Sequence, residues 1–326
     1  MIKHFYILSM LLWGWCLSTT AADTKEVYIT RTGDVVTIGN EFLAREFSLA
    51  NGRVSTRMVV NKRTGKNPVR IIPEAASEEF LIRTLVGPDS VAADICSSKL
   101  SLDDVQLADM EKNGRKLTFH YKTFRFEGVD WQINMVFTLE KGKHYMKKYL
   151  EITVPDSQRS QARIDYIDFE PMKLPEGIAT WTHPEMEKGV GGVSGYYISL
   201  GQPVYVQAMF FGLEFPAVET EITKDNTVRI RYYSGKNFEM LAEEGRLEEG
   251  TFSTWKEVIG ATRSTDMDVI QTDFFSYIQD ISVPIDLRIQ YNSWYDFMLD
   301  INENNILDSF PVSYTHLRAH ETLMNL

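Results

Sequence analysis

The feature that most constrains this chain is a two-residue alternation of apolar and polar side chains, which continues from Val27 to about Leu287. Successive side chains of a strand point to opposite faces, so the alternation predicts strands with one buried face. Asn51-Gly52, between two such stretches, predicts a tight hairpin. Many long strands joined by short turns predict a mainly β fold, a large antiparallel β-sandwich over residues 23–263.

The pattern changes near Ser264. Apolar residues recur there at three- and four-residue spacing, which predicts a linker helix over residues 264–284 that Thr265 or Asp266 caps and Pro284 ends. The predicted apolar face of this helix consists of Val269, Phe274, Tyr277, Ile278 and Ile281.

A new pattern begins at Ile285, where the apolar stretch IDLRIQYNSWYDF predicts a buried strand and INENNILDSF predicts a helix from Asn302 or Glu303. A strand followed by a helix is how a (β/α) barrel begins, and such a barrel needs about 250 residues. We therefore expect residues 285–310 to be the truncated start of a barrel domain.

The last sixteen residues, 311–326, read PVSYTHLRAHETLMNL and are composed unlike the rest of the chain. Their reverse translation resembles a sequencing adapter read in frame, and helical periodicity stops where they begin. We expect a non-native tail. His316 and His320, spaced like a pair of metal ligands on a helix, then carry no meaning.

The N-terminus has the features of a secretory signal. Lys3 and His4 precede an apolar stretch, Phe5–Leu17, that is too short to span a bilayer, and small residues follow it. We predict a signal peptide over residues 1–22, cleaved after Ala22 or Ala21, and a secreted or periplasmic protein. Cleavage removes Cys16 and leaves Cys96 alone, so the mature domain depends on its core rather than on disulfides.

The formal net charge is −11, with acidic and basic residues interspersed. An acidic surface argues against nucleic acid and, after signal cleavage, against an anionic membrane as partner. A neutral carbohydrate is compatible with this charge and with an aromatic content of 12%. No residue pattern predicts a cofactor or a metal site, and the sequence leaves the oligomeric state open.

Four stretches, taken in order, resemble the N-terminal β-supersandwich (galactose mutarotase-like) domain and first barrel strand of secreted bacterial melibiase-type α-galactosidases, which are glycoside hydrolase family 36-like proteins. The stretches are VVTIGNEFLAREFSLANGRVSTRMVVNKRTGK, LEKGKHYMKKYLEITVP, GQPVYVQAMFFGLEFPAVET and IDLRIQYNSWYDF. The resemblance implies a retaining glycosidase that uses two aspartates on later barrel strands. This sequence ends before them, so we assign no catalytic residue and expect the fragment to be inactive.

The resemblance also implies a sugar pocket near the end of the first barrel strand, which makes Asn292, Trp294 and Asp296 candidate substrate-binding residues. Trp can face the CH side of a sugar ring, while Asn and Asp exchange hydrogen bonds with hydroxyls. Packing of Trp294 between strand and helix, and capping of a turn by Asp296, remain open.

Two further places supply candidates. The glycine-rich loop WTHPEMEKGVGGVSG contains Trp181 and His183, and its alternative is a surface loop without a ligand. In FFGLEFP, Glu214 is the exceptional residue: if it is buried, it needs a partner, and it could bind sugar or connect to the barrel. At least two of Phe210, Phe211 and Phe215 are expected in the core.

Carboxylates within the sandwich do not form a catalytic pair by spacing. Asp165 and Asp168, three residues apart on one strand, are predicted to point to opposite faces, and both are interpreted as surface residues together with Glu170. Trp131 and Trp255 are interpreted as structural.

The sequence leaves two other functions open. One is a non-catalytic carbohydrate-binding sandwich module. The other is an aldose epimerase, which needs a His and an acid that converge on one sheet. His120, His144 and His183 are the available histidines, and none of them has an acidic partner by spacing.

Overall fold

The computed structural model describes residues 26–87, 90–182, 202–284, 299–300, 302–305 and 307–308. Within these ranges the chain is mainly β, as predicted, with the α-helices α1 (Phe238–Glu243) and α2 (Met267–Ile281) and helical residues at 303–305 and 307–308. The strands in chain order are β1 (Tyr28–Thr32), β2 (Val35–Gly39), β3 (Leu43–Ser48), β4 (Ser55–Asn61), β5 (Val69–Ile71), β6 (Leu81–Val86), β7 (Val91–Cys96), β8 (Leu102–Met110), β9 (Gly114–Tyr121), β10 (Phe124–Phe126), β11 (Val129–Leu139), β12 (Tyr145–Thr153), β13 (Arg163–Asp168), β14 (Met172–Lys173), β15 (Thr180–Thr182), β16 (Val204–Val206), β17 (Met209–Leu213), β18 (Val218–Ile222), β19 (Thr227–Asn237), β20 (Leu247–Glu248), β21 (Thr251–Ser253) and β22 (Glu257–Ala261).

These strands form three antiparallel sheets. The five-stranded sheet has the order β1-β2-β3-β4-β5. The eleven-stranded sheet, hereafter the large sheet, has the order β15-β16-β17-β22-β12-β11-β9-β8, with β10 beside β11 and the pair β20-β21 beside β12. The six-stranded sheet has the order β14-β19-β13-β6-β7, with β18 beside β19. The predicted antiparallel sandwich class is confirmed.

The hairpin predicted at Asn51-Gly52 connects β3 to β4, which pair from Ser48 and Ser55 outward. Asn51 and Gly52 both have positive φ, 59° and 67°. The connection has six residues, 49–54, and includes a short 3-10 helix, Ala50–Gly52, in which Asn and Gly enter the positive-φ region at the lowest cost. The local sequence therefore predicts where the chain reverses, although the connection is longer than the tight hairpin that was expected.

One continuous apolar core joins the three sheets. Phe47 of the five-stranded sheet lies 4.9 Å, between ring centroids, from both Phe119 and Phe137 of the large sheet. Trp131 is 1% exposed and meets Phe238 of α1 edge-on, which agrees with its structural interpretation. Sandwich cores of this kind form because each sheet buries one of its faces against another.

The aromatic cluster in FFGLEFP follows its prediction. Phe210 and Phe211 are fully buried, and Phe215 is half-buried and stacks on Trp255 with centroids 5.0 Å apart. At least two of the three phenylalanines therefore belong to the interior, as expected.

The predicted helix is α2, and Asp266 caps it: the Asp266 carboxylate accepts hydrogen bonds from the backbone N–H groups of Asp268 and Val269. Its buried face differs from the prediction. Ile270, Asp273 and Tyr277 are buried, whereas Ile278, assigned to the apolar face, is 36% exposed. The prediction misplaced the face because it excluded Asp273, an acid that the fold buries.

The interpretation of Asp168 and Glu170 as surface residues is wrong. The register of β13 against β6 shifts between Ile164 and Tyr166, which inserts one residue at Asp165 and breaks the simple alternation. Asp168 is 4% exposed and Glu170 is 1% exposed. Each of the two carboxylates can be buried because a cation lies against it. For Asp168 this cation is Arg231, with two N–O distances of 2.7 Å.

A compact unit ends at Asp280 and a second begins at Ile281. The predicted signal peptide and non-native tail lie outside the described residues, as does most of the predicted barrel start at 285–310. In the part of the chain that the structure describes, no helix has the length and apolar character of a membrane span.

Candidate functional site

The large sheet has two faces of different character. On β11, Ile133 and Met135 point into the core, while Asn134 and Thr138 belong to the opposite face and are only partly buried. We call that opposite face the outer face.

Helix α2 covers one half of the outer face. The Tyr277 ring lies 4.7 Å from Tyr145 and 5.8 Å from Phe210, measured between centroids. Phe274 packs edge-on against Phe210 and Tyr205 at 5.3 and 6.3 Å. Edge-to-face aromatic pairs of this kind add to the stabilisation that burial alone supplies. The helix is therefore held to the sheet by an aromatic layer.

A glycine makes room for that layer. Gly260 of β22 pairs directly with Phe210 of β17. The Phe210 ring lies over Gly260, and a Cβ added there would come within 1.9 Å of the ring. Only glycine allows the ring to lie flat on the strand.

A buried carboxylate fixes the helix further. Asp273 accepts hydrogen bonds from the backbone N–H of Arg263 at 2.7 Å and from its Nε at 2.9 Å, and Arg63 lies 3.5 Å away. His144 Nε2 lies 3.2 Å from the Asp273 carbonyl oxygen. Burial, with the nearby Arg63 charge, lowers the pKa of His144. His144 therefore has a structural role under α2.

Glu214, predicted to need a partner if buried, has two. Its carboxylate lies 2.7 Å from Lys147 Nζ and accepts a hydrogen bond of 3.0 Å from the Tyr277 hydroxyl. Burial is the main cause that raises the pKa of Tyr277, and the adjacent Glu214 charge raises it further. Glu214 thus connects the large sheet to α2 and keeps 19% of its side chain exposed.

Trp181, the other predicted residue within the described ranges, lies on β15 beside Tyr205, with ring centroids 5.2 Å apart. Burial raises the pKa of Tyr205 to about 12. Tyr205 contacts α2 through Phe274, and Glu214 contacts α2 through Tyr277. The fold therefore brings Trp181 and Glu214 to one face of the sheet.

The other half of the outer face carries a row of polar side chains, which we call the polar ladder: Gln106, His120, Asn134, Glu151 and Lys116. His120 pairs with Asn134 in the strand register, and Asn134 pairs with Glu151. His120 Nδ1 lies 2.9 Å from Asn134 Oδ1, and His120 Nε2 lies 3.1 Å from Gln106 Oε1. Asn134 and Lys116 donate to the two oxygens of Glu151, each at 3.4 Å.

Beneath and beside the ladder the surface is apolar or aromatic. Val136 is fully buried and Thr118 is 3% exposed, although both belong to the outer face. Tyr149 is half-buried next to Lys116, and burial raises its pKa. Planar amides, a carboxylate, an ammonium group and an aromatic ring around an apolar floor are groups that bind the hydroxyls and CH faces of a sugar.

Sequence reasoning missed the polar ladder because its members come from four strands whose register no local pattern supplies. Four predicted site residues, Asn292, Trp294, Asp296 and His183, lie outside the described residues. Over the described ranges, no group of three or more His, Cys, Asp or Glu side chains has the arrangement of a metal site.

No protein-family model matches this chain, and no curated protein matches it. Among solved structures, it is similar to the α-galactosidase from Lactobacillus brevis, at 13% identity and a TM-score of 0.42, over 86% of this chain and 46% of that one. It is also similar to an α-mannosidase from Enterococcus faecalis V583, at 11% identity and a TM-score of 0.40, over 74% of this chain and 30% of that one. This chain spans less than half the length of each of these two proteins.

Proposed function

We propose that this chain is the N-terminal part of an exported glycoside hydrolase that acts on α-galactoside-like glycans and retains the anomeric configuration. Its two catalytic aspartates would lie on later barrel strands, outside this sequence. The role of the described sandwich is to bind carbohydrate where it adjoins the barrel. The order of the four resembling stretches and the mainly β antiparallel fold support this assignment.

The observation that carries the proposal is the shared location of Trp181 and Glu214. Both were predicted as sugar-binding residues, and both lie against the residues that pack on α2. An aromatic ring and a partly exposed carboxylate on one face can bind the CH side of one sugar and a hydroxyl of another in the same oligosaccharide. The carboxyl groups of Asp168 and Glu170 are buried inside the sandwich, where substrate cannot reach them, so neither is a candidate catalytic acid.

The experiment measures binding and hydrolysis separately. We expect the chain to bind α-galactosyl oligosaccharides without hydrolysing an aryl α-galactoside, and the product of a gene extended beyond Phe310 to hydrolyse it. Trp181→Ala should weaken binding roughly tenfold, the loss expected when one aromatic face is removed. Trp181→Phe should retain most of it.

Tyr233→Ala is the matched control, since Tyr233 is an exposed aromatic on the six-stranded sheet. Hydrolysis by the present chain would contradict the location of the catalytic aspartates outside this sequence. An extended product without glycosidase activity would contradict the enzyme assignment. Equal binding by Trp181→Ala and Tyr233→Ala would contradict the location of the sugar.

The polar ladder favours a second candidate function, aldose epimerisation. His120 and Glu151 both contact the Asn134 side chain, so an imidazole and a carboxylate lie one amide apart on the outer face. Such a pair can transfer protons to and from one sugar ring. Polarimetry on freshly dissolved α-D-galactose tests it: faster mutarotation that His120→Ala and Glu151→Gln both abolish would favour the epimerase over the glycosidase.

A further inference from the structure

The interior of the sandwich contains five ionisable side chains, which we call the ionic cluster: Arg45, Glu79, Lys148, Glu170 and Glu257. None of them is more than 4% exposed. Arg45 comes from the five-stranded sheet and Lys148 and Glu257 from the large sheet. Glu79 precedes β6 and Glu170 follows β13, both strands of the six-stranded sheet. The cluster therefore lies where all three sheets meet.

Arg45 is satisfied on every side. Its guanidinium forms a bidentate pair with Glu170, with N–O distances of 2.8 and 3.0 Å, and a further bond of 2.9 Å to Glu79. Its Nε donates to the Thr56 hydroxyl at 2.8 Å. Buried charges persist only when paired and hydrogen-bonded in this way.

Lys148 holds the other side of Glu170. Its Nζ lies 2.8 Å from Glu170 Oε2 and 3.3 Å from Glu257 Oε2. It also donates to the backbone carbonyl oxygens of Glu79 and Phe169. The carboxylates of Glu170 and Glu257 thus flank one ammonium group.

Glu257 differs from the other two acids. Among the described residues, neither of its oxygens has a hydrogen-bond donor, although both are fully buried. A fully ionised cluster would hold two cations and three carboxylates and so an excess negative charge in the core. Lys148 compensates the Glu257 charge at 3.3 Å without a hydrogen bond to it, and a buried carboxyl without a hydrogen-bond donor usually takes up a proton.

We propose that the ionic cluster retains one proton on Glu257, directed toward Glu170, so that its net charge is zero and the stability of the fold falls as the solution becomes alkaline. Burial, with the adjacent Glu170 charge, raises the pKa of Glu257 well above its ordinary value of 4.5. The groups that face Glu257 are Lys148 and Glu170 at close range and Arg45 behind them. The Tyr121 hydroxyl adjoins the cluster at Glu79 and is itself buried.

Proton linkage gives the direction in which the stability of the fold changes with pH. Above pH 4.5 the unfolded chain releases the Glu257 proton while the folded chain keeps it, so each increase of one pH unit favours unfolding about tenfold. This trend continues until the folded protein releases the proton as well. Glu257→Gln keeps the shape of the side chain, carries no charge and cannot titrate.

The test is urea unfolding of wild type and Glu257→Gln from pH 5 to pH 8. We expect the unfolding equilibrium constant of wild type, divided by that of Glu257→Gln, to rise with pH by up to about tenfold per unit. The variant is then the more stable of the two proteins. Glu46→Gln is the matched control, because Glu46 adjoins Arg45 in β3 but has 26% of its side chain exposed beside Arg57. It should follow wild type. A ratio that stays constant with pH overturns the proposal.

Infrared spectroscopy of wild type alone supplies a readout that needs no folded variant. With ¹³C-labelled glutamate carboxyls, the folded protein at pH 7 should show the carbonyl band of a protonated glutamic acid, which unfolding in urea removes. A spectrum with only carboxylate bands at pH 7 overturns the proposal.

Discussion

Two adjacent lysines of β12 have the same side chain but different structural roles. Lys147 and Lys148 follow each other in β12, so their side chains leave opposite faces of the large sheet. Lys147 lies on the outer face, 23% exposed beside Glu214, and Lys148 is fully buried in the ionic cluster. The alternation predicts that one of the two points inward, but the sequence pattern does not show that two acids from distant segments, Glu170 and Glu257, lie against it.

Replacing each lysine by methionine separates the two roles. Lys148→Met leaves Glu170 without one of its cations in the core, and we expect it to cost about 3–5 kcal/mol of unfolding free energy. Lys147→Met removes a partly exposed ion pair and should cost about 0–1 kcal/mol. Urea unfolding at pH 7 measures both. Equal losses in the two variants would contradict the buried position of Lys148.

At the scale of elements, the sequence predicted what depends on local periodicity. The strands, the turn at Asn51-Gly52 and helix α2 with its Asp266 cap all follow from patterns within a short window. The buried face of α2 did not, because its central residue is Asp273, which only Arg63 and Arg263 from elsewhere can neutralise. The candidate site was predictable to the same extent. Trp181 and Glu214 can each be singled out in the sequence, but the aromatic layer that connects them forms only in the fold.

The fit of α2 on the large sheet can be tested at Gly260. Gly260→Ala forces the Phe210 ring off the strand and should cost about 1–3 kcal/mol, the range for overpacked interiors. Gly212→Ala is the control, since its added Cβ would meet neighbours only at 3.7 Å or more, and should stay within about 1 kcal/mol of wild type. Thermal unfolding and near-ultraviolet circular dichroism of the aromatic rings measure the difference. If both variants retain wild-type stability and spectra, Phe210 does not lie over Gly260.

At the scale of the whole molecule, the three sheets are joined by apolar packing and by the ionic cluster. The class of the fold was predictable, since it follows from the number and spacing of alternating strands. The division into sheets of five, eleven and six strands was not, because it depends on pairings between distant strands. Sequence reasoning also placed Glu170 on the surface, whereas it is the central acid of the cluster.

The cluster predicts how the whole molecule responds to acid. Arg45 and Lys148 overcome the effect of burial and lower the pKa of Glu170 from 4.5 to about 2. A depressed pKa gives stability that is present above pH 4.5 and is lost as the pH falls toward 2, here on the order of 3 kcal/mol. Urea unfolding between pH 2 and pH 6 should show this loss in wild type and a smaller pH dependence in Glu170→Gln. Asp156→Asn, a change at an exposed acid, should follow wild type. An acid limb as steep in Glu170→Gln as in wild type would contradict the assignment.

The origin of the cluster in distant segments also has a consequence for the order of assembly. Arg45 and Glu170 are 125 positions apart, and Lys148 and Glu257 come from different parts of the chain again. A nascent hairpin that contains only one of these groups keeps it hydrated and gains nothing by collapsing around it. Long-range pairings form slowly because loop closure must precede them. We therefore expect these charges to lose their water in a late step of folding, and partly assembled sandwiches to be unfavourable until the last sheet packs.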